Sequence, residues 1–584
     1  MSLVKRNILV LLIFILSLLL NIYGIWWAGP DKERLNLVFD NKETVEALSD
    51  EMVNSREDLY KGVWYYGQPP QYEEREITVA MGYGKSLRVN RSIIDSARSY
   101  LLRSYAPDEQ AVLKALSNMN PSKLNFNPKF FSYGGLYLYL LGIFLKVLSM
   151  FRVITLSSNV SYYFLHPEQM GAIFTLGKVF GAVFTSLSIY FVYLVGSSLY
   201  SRRTGLIAAL FFSITPAVVT WSHQMKPYTF TFFWMLLSLY MCIKLFNHDD
   251  IKHYIFAGLS AGLTAGSLFT YGIVVLCIPI IQFIKNIKNG VKSALFSLFE
   301  KKMWLGFLFF VIGFILVNPY FILSILSLTE LRHVNSIWPF SFSFFSILYY
   351  LRHIVLAAFG LPVWLLIISG IVFAIFRRTK EDILLLLLLF PVIIYFSCST
   401  THWMHYGFFI VPILILLGAR LMDSWLAQKK GWKVAGIFFL VVTLIYTFSY
   451  SLSIDIVAGR KNIRTIAGEW INENIPHQAS IGMTGLPAPY WAPPFNFFKY
   501  KIIITYMKEE VLKKEKPEYF ILSEYQWLRG CGYDKMMLYL KDYKEIKRFE
   551  KKLKFLFLEF SRNDNSPHDW YHFNPTILIF KRKS

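Results

Sequence analysis

The chain has 584 residues, of which 55% are hydrophobic, 18% aromatic and only 17% charged, with a formal net charge of +22. A mean hydropathy of +0.41 lies outside the range of ordinary soluble domains and marks a membrane protein. The charge calls for no nucleic acid, because basic residues flanking apolar runs account for much of it, and the basic tail is suited to anionic lipid headgroups.

The first apolar run, NILVLLIFILSLLLNIYGIWW from Asn7, follows Lys5 and Arg6. It reaches the roughly 20 residues that cross a bilayer and no small-x-small cleavage site follows, so residues 1–28 read as a retained span with a cytoplasmic N-terminus. A polar segment, 29–133, comes next and carries YAPDEQ, with Asp108 and Glu109 side by side. Then GGLYLYLLGIFLKVLSMF from Gly134 is apolar enough to cross, and further runs lie near 171–199, 205–221, 228–246, 253–270, 271–286, 304–325, 360–376, 382–398, 406–422 and 434–453. Leaving the Gly134 segment aside, that makes about eleven spans.

Short-loop charge decides whether the Gly134 segment crosses. If it does not, Arg202, Arg203, Lys252, Lys285, Lys288, Lys292, Lys301, Lys302, Arg377, Arg378, Lys380, Lys429, Lys430 and Lys433 are all cytoplasmic, and the opposite short loops hold little beyond Lys226 and Arg332. A crossing there would turn nearly all that charge outward. Residues 134–170 are therefore expected as juxtamembrane helices in the outer interface or as a re-entrant segment. The bundle then spans 171–455 in the plasma membrane, with 29–133 and the tail, 456–584, outside.

The tail reads as a small α/β domain. IRTIAGEWINENIP spaces Ile463, Ile466, Ala467, Trp470 and Ile471 along one helical face and stops at Pro476, while ASIGMT, KIIITY, EYFILS and TILIFK have the look of short buried strands. GLPAPYWAPPFNFF between them is too rich in proline to be regular. Cys242, Cys277 and Cys398 fall in or beside spans and leave Cys531 alone, so no disulfide framework is expected. No CxxC pair, Walker loop, HExxH or GxSxG occurs, which removes the usual signals of nucleotide-driven transport, zinc proteolysis and serine hydrolysis.

What remains is a constellation on the outer side: Asp108 and Glu109, Lys129, Lys178 at the outer end of the second span, His223 and Lys226 in WSHQMKPYTF, Arg332 and His333 after NPYF, and His402 and His405 in THWMHY. Acids facing several cations at a membrane surface suit an anionic lipid-linked substrate: a carboxylate takes a proton while cations stabilise a departing phosphate. An ordinary structural explanation stands beside each. Asp108 and Glu109 also suit the positive end of a helix beginning at AVLKAL, and the lysines, arginine and histidines suit side chains reaching toward headgroups. Lys178 is the hardest to dismiss, since an ionisable group in or at the edge of a span is functional by default.

The pieces LNFNPKFFSYGGLYLYLLG, HPEQMGAIFTLGKVFGAVFTSLSIYFVYLVGSSLYSRRTGLIAALFFSITP, YYLRHIVLAAFGLPVWLLIISG and HYGFFIVPILILLGARLMD, in that order after the PDE of Asp108 and Glu109, resemble the GT-C polyprenyl-phosphate-sugar-dependent glycosyltransferases, specifically bacterial relatives of the protein O-mannosyltransferases of glycosyltransferase family 39. The resemblance covers most of the chain and implies a polytopic α-helical GT-C fold with outer juxtamembrane helices. It further implies inverting transfer of a sugar from a polyprenyl phosphate to an acceptor hydroxyl on a protein, lipid or glycan, with Asp108 as general base and Glu109 beside it. Lys129, Lys178, His223, Lys226, Arg332 and His405 would attend the donor phosphate. The chain departs from the family where Lys178 stands for a common arginine, Tyr228 for an aspartate after Pro227, Gly134 for a proline and His405 for an arginine. The missing aspartate puts a divalent metal in doubt.

Two other classes remain. A lipid-binding scaffold without catalysis would keep the spans and the tail, and Tyr228 is the residue that favours it. A secondary transporter would want ionisable groups near mid-membrane and repeated halves, and here the groups gather at one surface.

Overall fold

The computed structural model describes residues 3–60, 76–80, 86–324, 343–398, 404–529, 532–560, 568–570 and 573–583. Arg332, His333, His402 and Cys531 lie outside the described residues. Each apolar run read as a span falls on a helix, from Leu3–Ile22 to Lys430–Gly459. Among the described residues, five helices are long and apolar enough to cross a membrane: Pro167–Leu199, Pro227–Asn247, Phe269–Asn289, Gly407–Leu426 and Lys430–Asn474. A sixth is the pair Arg202–Ser213 and Pro216–Ser222, bent by 52°, where Pro216 cannot continue the preceding hydrogen-bond ladder. The chain is a multi-pass helical membrane protein with a small sheet domain at its C-terminal end.

Basic residues at two of the short loops are held by carboxylates. Arg203 lies 3.4 Å from the Asp423 carboxylate, which also accepts from Thr204 Oγ1 at 2.8 Å. Asp249, between Pro227–Asn247 and Ile251–Ser267, is held by Lys285 at 2.9 Å and by Lys302. Partial burial opposes its ionised form, but the hydrogen bonds and charges of Lys302 and Lys285 outweigh that and hold its carboxyl down at about 2. A depressed folded-state value means stability that is present above the ordinary carboxylate range and lost as the pH falls through the folded value. Thermal unfolding of wild type and Asp249→Asn is therefore expected to differ at pH 7 and to converge between about pH 4 and pH 2.

The apolar segment from Gly134 forms the helix Gly135–Met150. Gly134 N–H donates to Ser267 O at 3.1 Å, and Gly135 N–H to Asn318 Oδ1 at 2.7 Å. Past its other end, Thr155 N–H donates to the Gln169 side chain at 3.1 Å. Ser267 closes the helix Ile251–Ser267 and Gln169 opens Pro167–Leu199, so both ends of this helix stand at the same end of the bundle. A Cβ on Gly134 would sit 2.0 Å from Gly266 O, a backbone contact that leaves no room for a side chain.

Among the described residues, two short antiparallel strand pairs and one larger sheet make up the β-structure. Strands β1 (Glu76–Ala80) and β2 (Ser86–Asn90) pair antiparallel. In the tail, β3 (Ser480–Met483), β4 (Lys501–Ile504), β5 (Tyr519–Ser523), β6 (Tyr543–Phe549), β7 (Leu553–Phe555), β8 (Leu558–Phe560) and β9 (Ile577–Arg582) follow. Five of them form one sheet in the order β4-β3-β5-β9-β6, and β7 pairs with β8. The four strands and the helix Ile463–Asn474 read from the sequence are present. Strand β6 escaped that reading because YKEIKRF buries only its two aromatic ends and lies at the sheet edge.

The segment that precedes the acidic pair and the tail share a core. Leu35, Val38, Phe39, Ile94 and Tyr100 pack in one cluster with Ile463, Ala467, Ile471, Trp491 and Phe497. Tyr100 O–H donates to Ala492 O at 3.1 Å across it, so the stretch leading to the acidic pair is mounted on the tail.

Candidate active site

The acidic loop is fixed from behind by a stack of cations on an aromatic ring. Arg34 is buried and donates to Gly29 O at 2.8 Å, Ala28 O at 3.1 Å and Arg103 O at 2.9 Å, and its guanidinium lies 3.7 Å from the Tyr105 ring centre. The buried guanidinium of Arg464, from the tail, lies 4.9 Å from the same ring. One arginine thus ties the end of the first span to the loop, and a second brings in the C-terminal domain. Replacing Arg34 by Met removes charged donors from buried carbonyls and is expected to lower unfolding stability by about 3 kcal/mol or more, read from thermal or denaturant unfolding in detergent.

From Tyr105 the chain turns sharply at Asp108, whose φ is 68°. That left-handed conformation is tolerated by Asp better than by most residues and is confined to positions that the surroundings enforce. The helix Glu109–Ser117 begins immediately after, yet the Asp108 side chain makes no capping hydrogen bond. Its carboxylate is 55% exposed and stands 3.4 Å from Lys226 Nζ, which is itself nearly buried.

Glu109 points the other way and is completely buried. One carboxylate oxygen accepts the Met225 N–H at 2.7 Å; the other lies 3.8 Å from Lys178 Nζ, also completely buried. Lys178 Nζ has no hydrogen-bond partner among the described residues and sits 5.2 Å from the Trp27 ring. The two adjacent acids thus occupy opposite environments: Asp108 at the surface beside a cation, Glu109 in an internal pair that joins the loop to the helix Pro167–Leu199 and to the turn before Pro227.

Lys226 lies 5.1 Å from the Trp221 ring, and Trp221 in turn packs on His405 with ring centres 4.6 Å apart. Tyr228 covers His405 from another side at 4.6 Å. His405 Nδ1 is 2.9 Å from Asp569 Oδ2, and Asp569 also accepts the Met404 N–H at 3.0 Å. His223 is buried below, its Nε2 3.3 Å from Leu20 O and 3.8 Å from the Asp455 carboxylate, and its carbonyl accepts from Trp27 Nε1 at 3.1 Å. Both Asp455 oxygens lack a hydrogen-bond partner among the described residues.

The residues read from the sequence therefore divide. Asp108, Glu109, Lys178, His223, Lys226 and His405 come together at one end of the bundle, although Glu109, Lys178 and His223 are turned inward. Lys129 is on an exposed stretch, its N–H donating to Asn127 Oδ1 at 2.9 Å. Arg34, Arg464, Asp455 and Asp569 were not singled out by sequence. Among the described residues no group of three His, Cys, Asp or Glu side chains gathers in a way suited to a metal.

Residues 174–321 match the family model described as dolichyl-phosphate-mannose-protein mannosyltransferase. The match takes in Lys178, His223 and Lys226, and it bears out the resemblance read from the sequence. No curated protein matches the chain. Among solved structures, the chain is similar to the Archaeoglobus fulgidus oligosaccharyltransferase complexed with Zn and sulfate, at 13% identity and a TM-score of 0.40, over 71% of this chain and 63% of that one. The chain thus spans less than two thirds of that relative's length. The apo form of the same protein gives 12% identity and a TM-score of 0.43 over 86% of this chain and 72% of that one. ArnT from Cupriavidus metallidurans bound to undecaprenyl phosphate gives 10% identity and a TM-score of 0.42 over 81% and 93%. Likenesses this remote carry no weight for activity.

Proposed function

We propose that the chain is an integral membrane glycosyltransferase that moves a sugar from a polyprenyl-phosphate carrier to an acceptor hydroxyl, with inversion. The observation that carries this reading is the split between the two acids, an exposed Asp108 beside Lys226 above a buried Glu109. The family-model match over residues 174–321 supports it independently.

In this reading the acceptor oxygen forms a bond to the anomeric carbon as the bond from that carbon to the phosphate oxygen breaks. The electron pair leaves with the polyprenyl phosphate, and the acceptor proton passes to Asp108. Lys226 and His405 are the cations placed to stabilise the departing phosphate, with Arg332 and Lys129 as further candidates for the same task. Lys178 acts on Glu109 rather than on the phosphate, which fits a lysine where relatives carry arginine: a compact ammonium suffices for one carboxylate, whereas a phosphate favours a two-pronged donor. The distribution of basic loops opposite this site supports an outward-facing catalytic end and a cytoplasmic N-terminus.

The test is label transfer or release from a radiolabelled polyprenyl-phosphate hexose in membranes containing the wild-type chain, with and without a chelator. Release above membranes lacking the chain is expected. A chelator-insensitive rate is the outcome that fits Tyr228 at the position of the absent aspartate. No release from any of several hexoses would favour the scaffold reading.

A further inference from the structure

Asp569 belongs to the short turn His568–Trp570 of the C-terminal domain, 164 residues beyond His405. Its carboxylate is nearly fully buried, bonded to His405 Nδ1 and to the Met404 backbone N–H. These donors reward the ionised carboxylate and fix which ring nitrogen carries a proton: Nδ1–H donates to Asp569, which leaves Nε2 as the nitrogen available to a substrate. The rings of Trp221 and Tyr228, themselves in edge-to-face contact, pack on the imidazole from adjacent sides. Neighbouring Trp570, completely buried, anchors the turn against Tyr450 of the helix Lys430–Gly459.

We propose that Asp569 is a positioning residue of glycosyl transfer, by which the C-terminal domain holds His405 as an oriented cation facing the donor phosphate; this rests on the glycosyltransferase reading above. Among the described residues, the charged groups that act on the ring include Asp569, Lys226 and Asp108, with the hydroxyls of Tyr228 and, beyond Asp569, Tyr350 nearby. Burial pushes the imidazole below its ordinary value, and the Asp569 hydrogen bond and charge oppose that. A buried ring left without the carboxylate stays neutral and has no positive charge to offer a leaving phosphate. With the carboxylate in place, an arriving phosphate adds a second negative charge and the imidazolium becomes the stable form. The C-terminal domain is then part of the site rather than an appendage.

The test uses the full chain in detergent and reads the ring without any donor. The exchange of the His405 ring C2 hydrogen, followed by mass spectrometry of its peptide against pH, gives the titration midpoint of the imidazole. In Asp569→Asn, which keeps an acceptor for the Met404 N–H, the midpoint is expected to fall by about one pH unit or more. Turnover of a polyprenyl-phosphate hexose at pH 7 should fall about ten-fold or more, in kcat rather than in KM for the acceptor. Asp569→Glu, which keeps the charge, should restore both toward wild type. Equal midpoints in wild type and Asp569→Asn would overturn the proposal. So would a Glu variant that loses the rate while keeping the ring's midpoint, because that pattern is one of packing alone. Absence of turnover in the wild type would count against the glycosyltransferase reading, and the ring titration would still decide whether Asp569 governs the charge of His405.

Discussion

Asp108→Asn is expected to reduce sugar transfer by about 10²–10⁴-fold while leaving donor binding and the unfolding midpoint close to wild type. The reasons are geometric. The side chain makes no cap bond and is more than half exposed, so little of the fold depends on it. Its contact is the 3.4 Å approach of Lys226, and an Asn of the same shape keeps a hydrogen-bond acceptor there. What the variant loses is the ability to take a proton. A change to Ala would test less, because it also frees the backbone from the left-handed turn at φ 68°. The measurement is single-turnover transfer from a labelled donor, with donor affinity obtained from the concentration dependence of the same data.

The second large effect concerns stability. Lys178→Met leaves the Glu109 carboxylate buried with one backbone N–H and no cation, and loss of one member of a buried pair is expected to destabilise by about 3–5 kcal/mol. Glu109→Gln alone strands the ammonium instead. The double variant removes both charges, keeps the side-chain volumes and retains an acceptor for the Met225 N–H, so most of the stability should return. A double-mutant cycle in thermal unfolding measures this coupling. Total turnover in membranes should follow the same order, since it scales with the amount of folded protein. If each single variant were as stable as wild type, the pair would be incidental to the fold.

Much of this architecture was legible in the chain itself. Long apolar runs became helices because a span has no other way to satisfy its backbone. Lys178 was visible as an ionisable group on an apolar helix. The adjacent acids were visible as a pair, but their division of labour was not. Glu109 is buried by a backbone N–H 116 residues away, and no local periodicity encodes such a contact. Arg34 and Arg464 look in sequence like ordinary helical arginines; only the fold brings them onto the same tyrosine ring. Asp569 sits among other polar residues of the tail without distinctive spacing, and its role depends on a turn that reaches back to the bundle. Strand β6 was missed for a different reason, since an edge strand with charged faces has little of the hydrophobic pattern that marks buried ones.

The most direct measurement is the transfer rate per folded molecule for Asp108→Asn and Glu109→Gln, compared in the same membranes with the same labelled polyprenyl-phosphate hexose. If Asp108 is the base, Asp108→Asn remains folded, binds donor and transfers almost nothing, whereas Glu109→Gln loses folded protein and whatever remains folded still transfers. A folded but inactive Glu109→Gln beside a fully active Asp108→Asn would contradict it.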